Sequence, residues 1–261
     1  MIGIFDSGIG GLTIVKAMQK ALPGHPFIYL GDTNRMPYGS KSPEAIIEYS
    51  LQDAQYLVDQ GAKLIVVACN SASSAAIPEL TKRFPEIPVF DVITPTVAEA
   101  KKVSKGRIGV IGTRATINSE IYNKLLKAGS KLEVFGKACP LLVPLVEENW
   151  LDQSVTKMVV RKYLSPLKAK NIDTLILGCT HYPLLKNEIQ HKSGKTVKII
   201  DSAQVTAESV KKYLSKHPEL DKQLKKPGQS IFALTDVTPH ANNLAVRWLG
   251  QPVKFEKVIL E

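Results

Sequence analysis

The chain has 261 residues, of which 44% are hydrophobic, and a formal net charge of +10. That size and apolar content support one large or two compact domains and exclude a disordered chain. The opening Met1-Ile2-Gly3-Ile4-Phe5-Asp6 has no basic leader, and no apolar run of roughly 18 residues occurs, which points to a soluble cytoplasmic protein without a membrane partner.

In chain order, short β-branched runs alternate with amphipathic stretches. The runs are Ile2 to Asp6, Phe27 to Gly31, Leu64 to Ala68, Val89 to Val92, Arg107 to Ile111, Leu132 to Phe135, Thr174 to Leu177 and Val197 to Ile200. Most precede a helical pattern, so the fold class is α/β with mainly parallel sheets. Ser42-Pro43 and Thr94-Pro95 each read as an N-cap followed by proline at the first helical position. A last strand, helix and strand, from about Ser230 to Phe255, returns to one of the sheets.

The chain repeats itself. Ile2 to Ser7 resembles Ile108 to Thr113 at an offset of 106 residues, and Leu64 to Cys69 resembles Thr174 to Cys179 at an offset of 110. Any two α/β halves share strands, but here a hydroxyl follows the first strand and a thiol follows a later one in both. Two pseudo-symmetric halves are therefore expected.

Three cysteines, Cys69, Cys139 and Cys179, are an odd number without short repeated spacing, so they are free thiols rather than a disulfide framework or zinc ribbon. Cys139, between Ala138 and Pro140-Leu141, reads as apolar filler. Cys69 and Cys179 have polar neighbours, Asn70-Ser71 and Thr180-His181, and fall at the carboxyl ends of strands, where ligands collect in parallel sheets. A following helix N-terminus is expected to lower a thiol's pKa there.

Two thiols across one ligand suit racemisation, in which a proton leaves one face of Cα and another arrives on the opposite face. Asp6 is the candidate partner of Cys69, and His181 that of Cys179; Glu147 is a third candidate. Asp6 has a plainer role open to it, as a cap for the helix that follows. Gly8-Ile9-Gly10-Gly11 lacks the spacing of a dinucleotide or Walker loop, and its backbone N–H groups suit a carboxylate. No lysine lies in a pyridoxal-phosphate context and the Cys-x-Ser and Cys-x-His spacings make poor metal sites, so no cofactor and no metal are expected.

The positive charge is not gathered into a binding face. Lys186 to Lys226 is lysine-rich, with pairs at Lys211-Lys212 and Lys225-Lys226, but Glu188, Asp201, Glu208, Glu219 and Asp221 interrupt it. Without interleaved aromatic residues, this reads as solvated helix faces rather than a nucleic-acid site.

Several segments together resemble the glutamate racemases of the aspartate/glutamate racemase superfamily. They are Gly3 to Leu12, Gly31-Asp32-Thr33 with Pro37 to Ser42, Ala68-Cys69-Asn70, Ala138 to Leu141 with Val143 to Glu147, and Gly178 to Leu184. The likeness spans most of the chain and thins after about Ser202. It implies two pseudo-twofold-related α/β/α domains, 1–93 with 204–261 and 94–203, holding substrate in the cleft between them. It also implies cofactor-independent interconversion of L- and D-glutamate, supplying peptidoglycan synthesis and thereby cell shape.

Carried over by residue, the resemblance makes Cys69 and Cys179 the catalytic thiols, assisted by Asp6, His181 and Glu147. Substrate contacts would be Asp6, Ser7, Tyr38, Gly39, Asn70, Ser71, Thr180 and His181, flanked by Pro37 and Ser40. Thr113 and Thr116 join them through the internal repeat. Ser71 departs from the family's usual threonine but keeps the hydroxyl. The alternatives are an aspartate or other amino-acid racemase with the same thiols, and a non-catalytic binding protein. The oligomeric state stays open, a homodimer among the options.

Overall fold

The computed structural model describes residues 1–225 and 228–260. Two separate parallel sheets form the framework. The first contains β1 (Ile2–Asp6), β2 (Phe27–Gly31), β3 (Leu64–Val67) and β4 (Val89–Asp91). The second contains β5 (Arg107–Gly112), β6 (Glu133–Ala138), β7 (Thr174–Gly178) and β8 (Lys198–Asp201). The closing strands β9 (Ile231–Leu234) and β10 (Glu256–Lys257) join the first sheet beside β2, giving the order β10-β9-β2-β1-β3-β4. The second sheet has the order β6-β5-β7-β8.

The internal repeat is thus written into topology and register. In both sheets the first strand lies between the second and third, with the fourth outside the third. Ile2 pairs with Leu64 in one sheet, and Ile108 with Thr174 in the other. Ile65 pairs with Val89, and Leu175 with Ile199. Matched registers put the Ser7 and Thr113 hydroxyls, and the Cys69 and Cys179 thiols, at equivalent points of their sheets.

Strands β1, β2, β3 and β7 are buried throughout, because helices cover both faces of these parallel sheets. The first six α-helices in chain order are α1 (Leu12–Ala21), α2 (Pro43–Asp59), α3 (Asn70–Ala75), α4 (Ile77–Arg83), α5 (Ile93–Val103) and α6 (Arg114–Asn118). α1 buries Leu12, Ile14, Val15 and Met18, a helical stripe facing the helix Ser202–Lys216. That helix also packs on α5, so the helices that follow β4 and β8 meet each other. The expected domain boundaries, 93/94 and 203/204, fall after the first residue of α5 and after the second residue of the helix Ser202–Lys216.

The caps divide into one success and one correction. The Ser42 hydroxyl accepts from the Ala45 N–H at 3.3 Å, with Pro43 opening α2. Thr94 is not a cap, since α5 already begins at Ile93. Asp91 serves instead, its Oδ1 accepting from the N–H groups of Ile93 and Thr94 at 2.6 Å. A carboxylate accepting two N–H groups outcompetes a hydroxyl one turn later. Asp201 repeats the arrangement after β8, accepting from Ala203 at 2.9 Å.

Most of the lysine-rich stretch lies on helices; Lys192 pairs with Glu188 at 3.3 Å and Lys225 with Asp221 at 2.7 Å. Lys226, the other half of the second lysine pair, lies outside the described residues. No helix among the described residues is long and apolar enough to cross a membrane.

Candidate active site

The carboxyl edges of both sheets converge on one cavity with about 410 Å³ of atom-free space. From the first half come Ser7, Gly8, Met36, Pro37, Gly39, Cys69, Asn70 and Ser71; from the second come Thr113, Val143, Glu147, Cys179, Thr180 and His181. Both thiols predicted to be catalytic therefore line the same space, each with only 6% of its surface exposed. All three cysteines are free. Cys139 is fully buried outside the cavity lining.

The thiols sit in unlike surroundings. Cys69 caps the N-terminus of α3 and donates to the Ser7 hydroxyl at 3.5 Å. Its pKa is pushed up to about 12 by burial first and then by the neighbouring Asp6 carboxylate, with Ser7 pulling the other way. This corrects the sequence expectation of a lowered value. Half a positive charge at a short helix's end does not offset loss of hydration plus a nearby anion.

Cys179 instead faces a cation. Its sulfur lies 3.8 Å from His181 Nδ1, and His181 Nε2 lies 3.0 Å from a Glu147 oxygen. Burial by itself would lower the His181 pKa, but hydrogen bonds to Cys179 and Glu147 raise it to about 10. The imidazolium thus bridges a sulfur and a carboxylate at neutral pH. The Trp248 ring meets the His181 ring nearly perpendicularly, with centroids 5.5 Å apart.

A pH dependence follows. The folded pKa of His181 lies above its ordinary 6.5, so the folded state holds this proton more tightly. Its contribution to stability is complete below pH 6.5 and is lost as pH rises through about 10. Chemical denaturation should show a falling midpoint across that window. By NMR titration, Glu147→Gln should lower the His181 pKa by roughly one unit or more, because an opposite charge at this range shifts a pKa by about 1–3 units. An unchanged pKa would remove Glu147 from the relay.

Two buried polar atoms at the site have no protein partner, Asp6 Oδ1 and Asn70 Nδ2. Asp6 is 1% exposed and lies behind the cavity lining; its other oxygen accepts from the Gly8 N–H at 3.1 Å. Burial raises its pKa, against the lowering effects of His181 and the Gly11 and Gly8 N–H groups. Two backbone donors of this loop, the Gly8 and Gly11 N–H groups, are therefore directed at Asp6 rather than at a substrate carboxylate. Asn70 is held by Tyr122, whose hydroxyl donates to its Oδ1 at 2.8 Å, leaving Nδ2 as a donor without a partner.

Three hydroxyls cluster where the halves meet: Ser71 and Thr113 at 2.9 Å, Thr113 and Thr116 at 3.1 Å. Ser71 and Thr113 line the cavity, whereas Thr116 reaches it only through them. Tyr38 and Ser40 turn their hydroxyls away from the cavity. The Tyr38 ring is fully buried, and its hydroxyl meets Asp32 and Asp53 instead of the cavity. The Ser40 hydroxyl turns back to the Pro37 carbonyl at 3.3 Å. Sequence reasoning missed Met36, Val143, Tyr122 and Trp248. They lie far apart in the chain and carry no chemical signature of their own.

Two halves of equal topology, each placing a thiol at a shared cleft, define a pseudo-symmetric two-thiol α/β protein. The sequence profile of the Asp/Glu/hydantoin racemase family matches residues 11–210, and the chain belongs to that family. It is 47% identical over 251 residues to the glutamate racemase of Geobacter metallireducens, covering 95% of this chain and 92% of that one. Among solved structures it is similar to a glutamate racemase isoform of Bacillus anthracis, with a TM-score of 0.93, 38% identity, and coverage of 100% of this chain and 97% of the other. It is also similar to the glutamate racemase of Francisella tularensis in complex with D-glutamate, with a TM-score of 0.92, 36% identity, and the same two coverages.

Proposed function

We propose that this chain is a cofactor-independent glutamate racemase in which Cys69 and Cys179 act as acid and base on opposite faces of Cα. The observation that carries this is the pair of thiols, contributed by equivalent points of two matched halves to one cavity. One sulfur, as thiolate, takes the Cα proton, and the electron pair passes into the α-carboxylate. The other, as thiol, delivers its proton to the opposite face. The product leaves with the sulfurs' protonation states exchanged, ready for the mirror-image substrate.

His181 hydrogen-bonds the Cys179 sulfur and is held by Glu147. Asp6 lies beside Cys69, where its charge favours the protonated thiol. Asn70 Nδ2 and the Ser7, Ser71, Thr113 and Thr180 hydroxyls supply donors for the two carboxylates. No lysine or arginine lines the cavity among the described residues, so the anionic substrate would be met by neutral donors and the His181 imidazolium. Donors placed where charge develops act best in a site from which water is excluded. The 1–93 plus 204–261 and 94–203 domains would then move against each other to admit substrate. In the cell, the product would be D-glutamate for peptidoglycan.

The test is Cα hydrogen exchange in D₂O, without pyridoxal phosphate, followed by NMR and chiral chromatography. L- or D-glutamate should each yield both enantiomers carrying deuterium at Cα. Turnover of aspartate with none of glutamate would select the related amino-acid racemase instead. No turnover of either would overturn the proposal.

A further inference from the structure

Behind the cleft lies a buried acid cluster that the acid/base chemistry does not use. Asp32, just after β2, and Asp53, on α2, are both 0% exposed. The Tyr38 hydroxyl meets Asp32 Oδ2 in a short contact and Asp53 Oδ2 at 2.9 Å. Arg35 donates through Nε to Asp32 at 2.6 Å and through its terminal nitrogen to Asp53 at 3.2 Å. Its guanidinium also lies 4.3 Å from the Tyr49 ring centroid. Thr235, just after β9, donates to the second Asp32 oxygen at 2.9 Å.

Proton counting gives this cluster its form. A phenol has one proton to donate and lone pairs with which to accept. It cannot donate to two carboxylates at once, so one of the two contacts needs a proton on the acid. Besides Tyr38, Asp32 already accepts from both Arg35 and Thr235, whereas Asp53 accepts from Arg35 alone. Asp53 then carries the proton and donates to the Tyr38 oxygen. Burial and the Asp32 charge favour that protonated form, holding the Asp53 pKa well above the ordinary carboxylate range.

Tyr38 opens the short 3-10 turn Tyr38–Ser40, between Pro37 and Gly39 of the cavity wall. Gly39 presses on the other half of the molecule: a Cβ there would lie 2.6 Å from Thr113 Cβ. Thr113 in turn hydrogen-bonds Ser71. We propose that Tyr38 and Asp53 are positioning residues, whose shared hydrogen bond clamps the 37–39 turn against Thr113 and sets how tightly the cleft closes over a dicarboxylate. This rests on the racemase function proposed above.

Two readouts test it, one independent of turnover. Tyr38→Phe keeps the ring and removes the bond; it should raise KM for both glutamate enantiomers about tenfold while changing kcat by less than about threefold. Asp53→Leu should do the same. Asp53→Asn should rescue KM to near the parent value, because an amide still donates to Tyr38 and accepts from Arg35. Separately, iodoacetamide labelling followed by peptide mass spectrometry should show Cys69 modified on the order of threefold faster in Tyr38→Phe, with Cys139 unchanged.

An unchanged KM together with unchanged Cys69 labelling in Tyr38→Phe would overturn the clamp. So would Asp53→Asn behaving as badly as Asp53→Leu. If the parent protein turns over no glutamate but Cys69 labelling still responds to Tyr38→Phe, the clamp stands and the racemase function falls.

Discussion

Replacing either Cys69 or Cys179 by serine should abolish conversion in both directions, lowering kcat by roughly 10³-fold, within the range that a positioned acid/base group contributes. Both directions suffer because each turnover uses both groups, one removing a proton and one returning it. A serine hydroxyl at either point fits the space but is far less acidic than a thiol, so it cannot serve as the base. The two variants should differ in a second measurement. With Cys69→Ser, the Cys179 sulfur keeps the His181 imidazolium at 3.8 Å. It should still exchange the Cα proton of the enantiomer presented to it, without inversion. With Cys179→Ser, the remaining thiol is the one raised to about 12 by burial and Asp6, so residual exchange should be weaker. Cys139→Ser is the control and should racemise normally. Near-normal turnover of both active-site variants would refute the two-thiol mechanism.

What could be read in the sequence was local or repeated. Alternating β-branched runs located the strands, and the offset between Ile2 to Ser7 and Ile108 to Thr113 anticipated the equivalent registers of β1 and β5. Cys69, Cys179, Asn70, Ser71, Thr180 and His181 all reach the cavity because a residue just past a parallel strand faces the carboxyl edge whatever else surrounds it. What failed depended on partners far along the chain. Nothing near Tyr38 shows that its hydroxyl turns toward Asp53 on α2. The acidity of Cys69 is not legible in sequence, because a helix terminus is visible there, whereas burial beside Asp6 is not. Thr94 yields its cap to Asp91 because the carboxylate at the end of β4 accepts two N–H groups, a reach that the Thr94-Pro95 pair does not reveal.

Gly10→Ala should lower kcat by roughly 10²-fold, the scale of loss expected when catalytic groups shift by about 1 Å. The four-residue loop after Ser7 looks like a carboxylate cradle in sequence, but Gly10 is there for another reason. A Cβ at Gly10 would lie 2.3 Å from Thr180 Oγ1, 2.5 Å from His181 Cε1 and 2.6 Å from His181 Nδ1. His181 has little freedom to withdraw, since Glu147 holds its far nitrogen and Trp248 packs against its ring. Thr180 is also tied, its carbonyl accepting from the Thr13 hydroxyl at 3.1 Å. The added methyl must therefore push the loop after β1 away from the turn after β7, loosening the contact between the halves and displacing His181 from Cys179. Such overpacking typically costs about 1–3 kcal/mol, so the variant should stay folded and be detectable by a lowered melting temperature. Gly8→Ala is the matched control on the same loop: its Cβ would meet Met36 Sδ at 3.4 Å, an ordinary contact. That variant should keep kcat within about threefold, since no catalytic group has to move to accommodate it. The NMR pKa of His181 separates the causes, because Gly10→Ala should lower it from about 10 while Gly8→Ala leaves it in place. Equal turnover in the two variants would mean that the approach of Gly10 to His181 does not govern the geometry of the second thiol.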